Sequence, residues 1–196
     1  MVQDKKHLDL SDSNIIYYPY FIASEVATQY FKIFKETIPW QQDDIKVFGK
    51  VYAQPRLTAF YGNGPKSYSY SNITMQPRPF TKELLEIKHK IEAIDGVTFN
   101  SCLLNLYRTG RDSNGWHADD EKELGQNPII ASISLGKERS FHLRYKRNPK
   151  IKHKIVLGTG SLLLMKGNTQ HHWQHQIPKT TKPIKERINL TFRLLK

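Results

Sequence analysis

Cysteine is all but missing from this 196-residue chain: Cys102 stands alone, so no internal disulfide can form and the fold does not depend on an oxidising compartment. It lies in an apolar run and reads as a buried strand residue. Long apolar runs are missing too, and no stretch approaches the length that spans a bilayer. Residues 1–14 are polar and of mixed charge, without the apolar centre of a secretory signal. These absences point to the cytoplasm, or to the nucleus if the source has one, and away from a membrane. Acidic residues are scarce: 18 Asp and Glu stand against 30 Lys and Arg, a formal charge of +12. Such an excess attracts polyanions, nucleic acid first, although charge alone suits plain solubility equally well. The remaining composition, 38% hydrophobic with aromatics spread throughout, suffices for one globular domain with its own core.

Residues 1–13 read as a flexible lead-in, followed by a short apolar strand at 14–21. Ser24 stands at an N-cap position with Glu25 behind it, and Val26, Tyr30, Ile33 and Phe34 recur at helical spacing to about Thr37. A strand over 45–52 breaks at Gly49, as at a bulge or turn. Tyr68 and Tyr70 alternate onto one face. A second amphipathic helix runs from Phe80 to Ile91, with Thr81 near its start, Gly96 as its end and His89 in solvent. From Phe99 the pattern turns to short strands, near 99–108, 115–119, 129–136, 139–147, 153–157, 161–166, 171–177 and 187–195. Eight short strands separated by turn residues predict two facing sheets of a jelly roll.

Within that pattern, His117 and Asp119 are two positions apart on an extended segment and project to one side, where both can hold one ion. Taken alone, His-x-Asp also suits a surface strand or turn. A third ligand must come from elsewhere. In His171-His172-Trp173-Gln174-His175, alternation puts His171 and His175 on one face and His172 on the other, and His175 is the best candidate. Two imidazoles and one carboxylate leave three positions of an octahedron open, the arrangement of non-haem Fe(II) oxygenases. At the far end, Arg187, Asn189, Thr191 and Arg193 alternate with Ile188, Leu190, Phe192 and Leu194. Such a strand suits a wall that grips a dicarboxylate through bidentate arginines. Between Lys137 and Lys154, eight Lys and Arg, Arg139 and Arg144 among them, face one acid, Glu138; the run reads as a phosphate track or as a solvated face. His142 and His153 read as surface residues.

The set Asn105-Leu106-Tyr107, His117-Ala118-Asp119-Asp120-Glu121, His172-Trp173-Gln174-His175 and Arg187 through Arg193 resembles the AlkB family of Fe(II)/2-oxoglutarate dioxygenases, from about residue 44 onward. The resemblance implies an α+β fold: a double-stranded β-helix (jelly roll) core with N-terminal helices and a nucleotide-recognition lid. It implies Fe(II) held by His117, Asp119 and His175, and 2-oxoglutarate held by Asn105, Tyr107, Arg187, Asn189 and Arg193. Substrate contacts fall on Phe48, Arg56, Tyr68, Tyr70, Ser71, Asp120 and Glu121. In the duplex-repairing branch, which the Val47-Phe48-Gly49-Lys50 hairpin resembles, the aromatic wedges into the base stack. Arg56 would contact DNA near the extruded nucleotide, Tyr70 would stack on the flipped base while Tyr68 lines the pocket, Asp120 would support the site, and Glu121 would reach the polar edge of the base. Three departures stand out: Asn72 where the family often has glycine, Ala118 where some relatives have arginine, and Lys179, Lys182 and Lys185 spread out where duplex-repairing relatives cluster them.

The expected organisation is a lead-in at 1–13, an extension with helices and lid at 14–98, and the catalytic core at 99–196, in one monomeric structural unit. The expected activity is oxidative demethylation of alkylated bases, 1-methyladenine and 3-methylcytosine, in single- or double-stranded DNA. RNA as the substrate is one rival; a nucleic-acid-binding module without catalysis is another.

Overall fold

The computed structural model describes residues 4–47, 50–63, 68–70 and 73–196. The chain opens with β1 (Lys6–His7), β2 (Asn14–Tyr18), α1 (Ser24–Thr37), β3 (Asp44–Val47), β4 (Lys50–Ala53), β5 (Leu57–Gly62), β6 (Tyr68–Tyr70), β7 (Ile73–Met75) and α2 (Lys82–Asp95). It continues with β8 (Ser101–Tyr107), β9 (Asn114–His117), a 3-10 turn (Lys122–Leu124), β10 (Ile130–Gly136), β11 (Arg139–Tyr145) and β12 (Lys152–Leu157). Last come β13 (Leu162–Lys166), the single-turn α3 (Thr169–His172), β14 (Trp173–Ile177) and β15 (Arg187–Arg193).

The expected jelly roll is there: one sheet has the order β1-β2-β13-β10-β15-β8-β5, and the facing sheet β12-β11-β14-β9. All pairings between these strands are antiparallel. Two apolar layers follow from the alternation. Outward-pointing Ile188, Leu190, Phe192, Leu104, Leu106 and Ile133 pack under Phe34 of α1 and Leu84, Ile87 and Ile91 of α2. Leu103, Ile130, Phe141, Leu143, Met165, Trp173 and Ile177 fill the space between the sheets. The large sheet is thus covered on both faces, and every residue of β8 and β15 is buried. Cys102 is buried among them, as its apolar run suggested.

Helix α2 matches its sequence signals. Thr81 Oγ1 accepts from Leu84 N at 3.3 Å, and Gly96 ends the helix in the left-handed region at φ 68°. Helix α1 differs at its start: Ala23 is the cap and makes no side-chain bond, Ser24 already lies in the first turn, and Val26 is exposed while Ala27 and Phe34 face the core. The lead-in is docked instead of loose in its described part, 4–13. β1 pairs with β2, Leu8 and Leu10 pack on the inner layer, and Trp173 Nε1 donates to Ser11 O at 2.8 Å. Core strands also come from before residue 99, since β2 and β5 extend the large sheet. Residues 171–172, expected in a strand, belong to α3, and the alternation of β15 ends at Arg193, so that Leu194 is exposed and Leu195 buried. The small hairpins β3–β4 and β6–β7 form separate two-stranded sheets. Among the described residues no helix is long and apolar enough to cross a membrane.

One turn fixes how α1 approaches the sandwich. Gly160 has φ 73°, its carbonyl accepts from Ile22 N at 2.9 Å, and a Cβ there would lie 2.2 Å from Ile22 O. Left-handed strain and overpacking each cost about 1–3 kcal/mol. Gly160→Ala is therefore expected to lose about 2–6 kcal/mol, a fall in Tm on the order of 10 °C for a chain of this size. An unchanged melting curve would show that the turn accepts a methyl group without displacing Ile22.

Candidate metal centre and co-substrate pocket

His117 ends β9, at the open edge of the small sheet, and stands directly opposite His175 of β14. Asp119 follows two residues later. The sequence folds this way because both histidines alternate inward while their neighbours Trp116 and Gln174 alternate outward. One ligand atom from each of His117, Asp119 and His175 lies within 4.8 Å of the others. His175 Nε2 is 3.6 Å from Asp119 Oδ2, and the two imidazole centroids are 4.2 Å apart. Phe141, which also lines the cavity, stacks on the His175 ring with centroids 5.1 Å apart.

The protonation states suit metal binding. His117 Nδ1 lies 2.8 Å from Gly115 O, an acceptor only, so Nδ1 carries the proton and Nε2 keeps its lone pair; Asn114 Nδ2 stands 3.2 Å from that lone pair. Burial lowers the pKa of His175 to about 3, helped by His117 and opposed by Asp119. His117 is also lowered by burial, with Asp119 opposing. Burial alone would raise Asp119, but Arg193, His175 and His117 outweigh it and bring the carboxyl to about 2. Near neutral pH the group is two neutral imidazoles and one carboxylate, a donor set that fits Fe(II) with open positions.

The same cavity holds the expected co-substrate residues. Asn105 and Tyr107 of β8 and Arg187, Asn189 and Arg193 of β15 all line it with the three candidate ligands. Arg187 is the telling one. It is 1% exposed, its Nη2 donates to Ser134 Oγ at 3.0 Å, its guanidinium lies 5.3 Å over the Tyr107 ring, and its Nε and Nη1 have no hydrogen-bond partner among the described residues. Burial lowers its pKa to about 10, with Tyr107 opposing, so it remains a cation at neutral pH. A buried guanidinium with idle donors calls for an anion, and a carboxylate of 2-oxoglutarate fits it. Arg193 Nη2 is bound to Asp119 Oδ1, so its first partner is the candidate ligand. Asn189 lines the cavity, yet its amide is engaged by Ser132 Oγ, Ile133 O and Thr191 Oγ1.

Of the expected substrate contacts whose side chains are described, Arg56 lines the cavity and Asp120 and Glu121 do not. Arg56 is not on the surface: it is 3% exposed, its Nε donates to Asn105 Oδ1 at 2.7 Å and its Nη1 to Ser113 O at 3.3 Å. It braces the co-substrate wall and leaves Nδ2 of Asn105 as that amide's donor. Asp120 is exposed and ion-paired to Lys146 at 2.9 Å, away from the cavity. Glu121 is half-buried and occupies the N-cap position of the 3-10 turn. Phe48 and Ser71 lie outside the described residues, as do the side chains of Tyr68 and Tyr70 on β6. Arg139, read as part of a basic run, is buried and donates to the carbonyls of Thr109, Asp112 and Pro178. Of the three neighbouring histidines, His171 bonds Asn127 and His172 stacks on Tyr145, so only His175 enters the cavity. Asn114 and Gln170 had no sequence signal, since each sits beside a motif residue without being part of the pattern.

The profile of the 2OG-Fe(II) oxygenase superfamily matches residues 14–193. Human alpha-ketoglutarate-dependent dioxygenase alkB homolog 3 is 43% identical over 195 residues, covering 92% of this chain and 66% of the relative. DNA oxidative demethylase ALKBH2 of Arabidopsis thaliana is 36% identical, covering 97% of this chain and 69% of the relative. The human ALKBH2 is 39% identical over 76% of this chain and 60% of its own length. The chain thus spans slightly less than two thirds of the length of alkB homolog 3, slightly more of the Arabidopsis relative and less again of human ALKBH2. The solved structure of OsALKBH1 shares the fold, with a TM-score of 0.66 at 16% identity over 97% of this chain and 100% of its own. With its profile match, its relatives and its cavity in agreement, this chain belongs to the AlkB family within the 2OG-Fe(II) oxygenase superfamily, whose metal is Fe(II) and whose co-substrate is 2-oxoglutarate.

Proposed function

We propose that the chain is a DNA-repair dioxygenase that demethylates alkylated bases, with 1-methyladenine and 3-methylcytosine as its lesions. The observation that carries this reading is the cavity in which His117, Asp119 and His175 face the idle guanidinium donors of Arg187. When bound, Fe(II) supplies the oxidative decarboxylation of 2-oxoglutarate by O2, to succinate and CO2, together with hydroxylation of the methyl group, which then leaves the base as formaldehyde.

The protein's part is binding, orientation and exclusion of water. His117 and His175 offer Nε2 lone pairs held in place by Gly115 O and by Phe141. Arg193 keeps the Asp119 carboxylate ionised and aimed. Arg187 takes one carboxylate of the co-substrate, with Asn105 and Tyr107 beside it. Leu103, Ile130, Met165 and Ile177 make the remaining walls apolar, which keeps the cavity dry around the reacting centre. Glu121 is assigned to the polar edge of the base, Tyr70 of the lid to its face and Tyr68 to the wall of the pocket.

A nucleic-acid partner is supported by the outer face of the small sheet. Lys152, Lys154, His142, Arg144 and Trp116 point outward there, and no outward position of its strands is a carboxylate. Arg144 lies 4.4 Å over the Trp116 ring while its Nε donates to Gln174 Oε1 at 2.9 Å, so the guanidinium is preset toward solvent. The relatives named DNA oxidative demethylase support DNA over other polyanions. The unpaired Cys102 suits a reducing compartment, the cytoplasm or a nucleus.

Mass spectrometry of methylated single-stranded DNA, duplex DNA and RNA, with and without Fe(II) and 2-oxoglutarate, tests the reading. Restored bases and formaldehyde are expected from DNA only when both are supplied; reaction of RNA alone would move the assignment to RNA, and no product from any strand would leave a binding module. For the co-substrate, Arg187→Ala removes one half of a buried charge pair, which costs about 2–5 kcal/mol in binding. The 2-oxoglutarate concentration for half-maximal succinate release should then rise roughly 30-fold or more. An unchanged concentration dependence would withdraw Arg187 from the site.

Strandedness rests on Phe48. An inserted ring recovers about 1–3 kcal/mol of stacking, roughly five- to hundredfold if it all reaches the rate. Phe48→Ala should lose activity on an annealed methylated strand by about that factor and change little on the same strand alone. Equal losses on both would make Phe48 a folding residue, and no loss on either would remove the wedge.

A further inference from the structure

We propose that Gln170 is a positioning residue: its side-chain carbonyl fixes the main chain of Asp119 and so holds that carboxylate in register with His175. The proposal rests on reading His117, Asp119 and His175 as the metal centre. Strand pairing holds the two histidines, because His117 and His175 are register partners. Asp119 lies beyond the end of β9 and outside that ladder. Its backbone N–H is buried and donates to Gln170 Oε1 at 2.9 Å, across 51 positions of sequence. A buried N–H without an acceptor is costly, so this bond selects the position of the Asp119 backbone.

Gln170 is itself well anchored. It is 1% exposed, and its Nε2 stands 3.6 Å from Met165 Sδ, which leaves the oxygen as the end that meets the Asp119 N–H. Its turn, α3, is pinned by Thr169 Oγ1, which donates to Lys166 O at 2.6 Å and accepts from Asn14 N at 2.9 Å. The same turn runs straight into β14, the strand that carries His175. One short segment therefore presents His175 from its strand and grips Asp119 from its turn. Gln170 sets the main chain of Asp119, and Arg193 aims the carboxylate. Groups behind metal ligands of this kind typically change metal affinity 10- to 100-fold when removed.

The test compares Gln170→Met, Gln170→Asn and Gln170→Glu in the full chain, measuring Mn(II) affinity by titration calorimetry and the thermal midpoint without metal. Met removes the acceptor and Asn draws it out of reach, so both should weaken Mn(II) binding by about 10- to 100-fold. Glu keeps an oxygen acceptor and should stay nearer to wild type. A residue that merely supports the fold would lower the metal-free midpoint and leave Mn(II) affinity of the folded protein unchanged; that result overturns the proposal. Where the Met variant does not fold, the Asn and Glu pair decides, and equal affinities for the two overturn it. If wild type binds Mn(II) no better than Asp119→Ala does, the metal centre itself is misassigned, an outcome distinct from a failure of Gln170 alone.

Discussion

The arrangement depends on one buried ion pair, between the Asp119 carboxylate and the Arg193 guanidinium. Both side chains are almost fully withdrawn from water, at 1% and 5% exposure. Neither charge is tolerable there alone: removing one partner of such a pair costs about 3–5 kcal/mol, because the other is left uncompensated. The pair joins the loop after β9 to the last strand of the large sheet, so it bridges the two faces of the sandwich. It also sets the electrostatics of the centre. With Asp119 held ionised, and with the imidazoles too deeply placed to take up protons near neutral pH, the ligand atoms keep their lone pairs.

That pair is possible only because β15 is polar on its inner face. Leu190 and Phe192 pack outward beneath the helices, while Arg187, Asn189, Thr191 and Arg193 point into the space between the sheets. A strand in the middle of a sheet covered on both sides would ordinarily be apolar throughout. Here the polar face persists because its groups hold one another. Asn189 is engaged by Ser132, Ile133 and Thr191, and Arg187 leans on Ser134 through Nη2, with its Nε and Nη1 left without a hydrogen-bond partner among the described residues. The helices α1 and α2 make this affordable in stability, since their packing on the outer face gives the same strands a second, wholly apolar layer.

How much of this could be read from sequence depended on whether a signal was local. The period-two run of β15, the His-x-Asp spacing, and the Thr81 and Gly96 ends of α2 are local patterns, and each appears where expected. Buried arginines are hard to read for the opposite reason. Arg139 looks like part of a surface basic run, and nothing local to Arg56 announces its burial, until the fold supplies their carbonyl and amide acceptors from segments tens of residues away. The α3 turn broke the alternation that seemed to pair His171 with His175, because Thr169 anchors a helical turn that no periodicity reveals. Gln170 escaped notice likewise: its role depends on Asp119, 51 positions earlier in the chain.

The charges that line the cavity favour an anionic occupant. Arg56, Arg187 and Arg193 line it against the single carboxylate of Asp119, a sum of +2 among the described residues once the histidines are neutral. Fe(II) would raise that sum to +4, and a dicarboxylate would halve it, whereas a monoanion would leave more charge uncompensated in a low-dielectric space. The same excess would work against the cationic methylated bases proposed as substrates, which would approach a cavity already short of negative charge. A bound dicarboxylate would weaken that repulsion, so the balance of buried charge by itself favours entry of the dicarboxylate ahead of a cationic substrate.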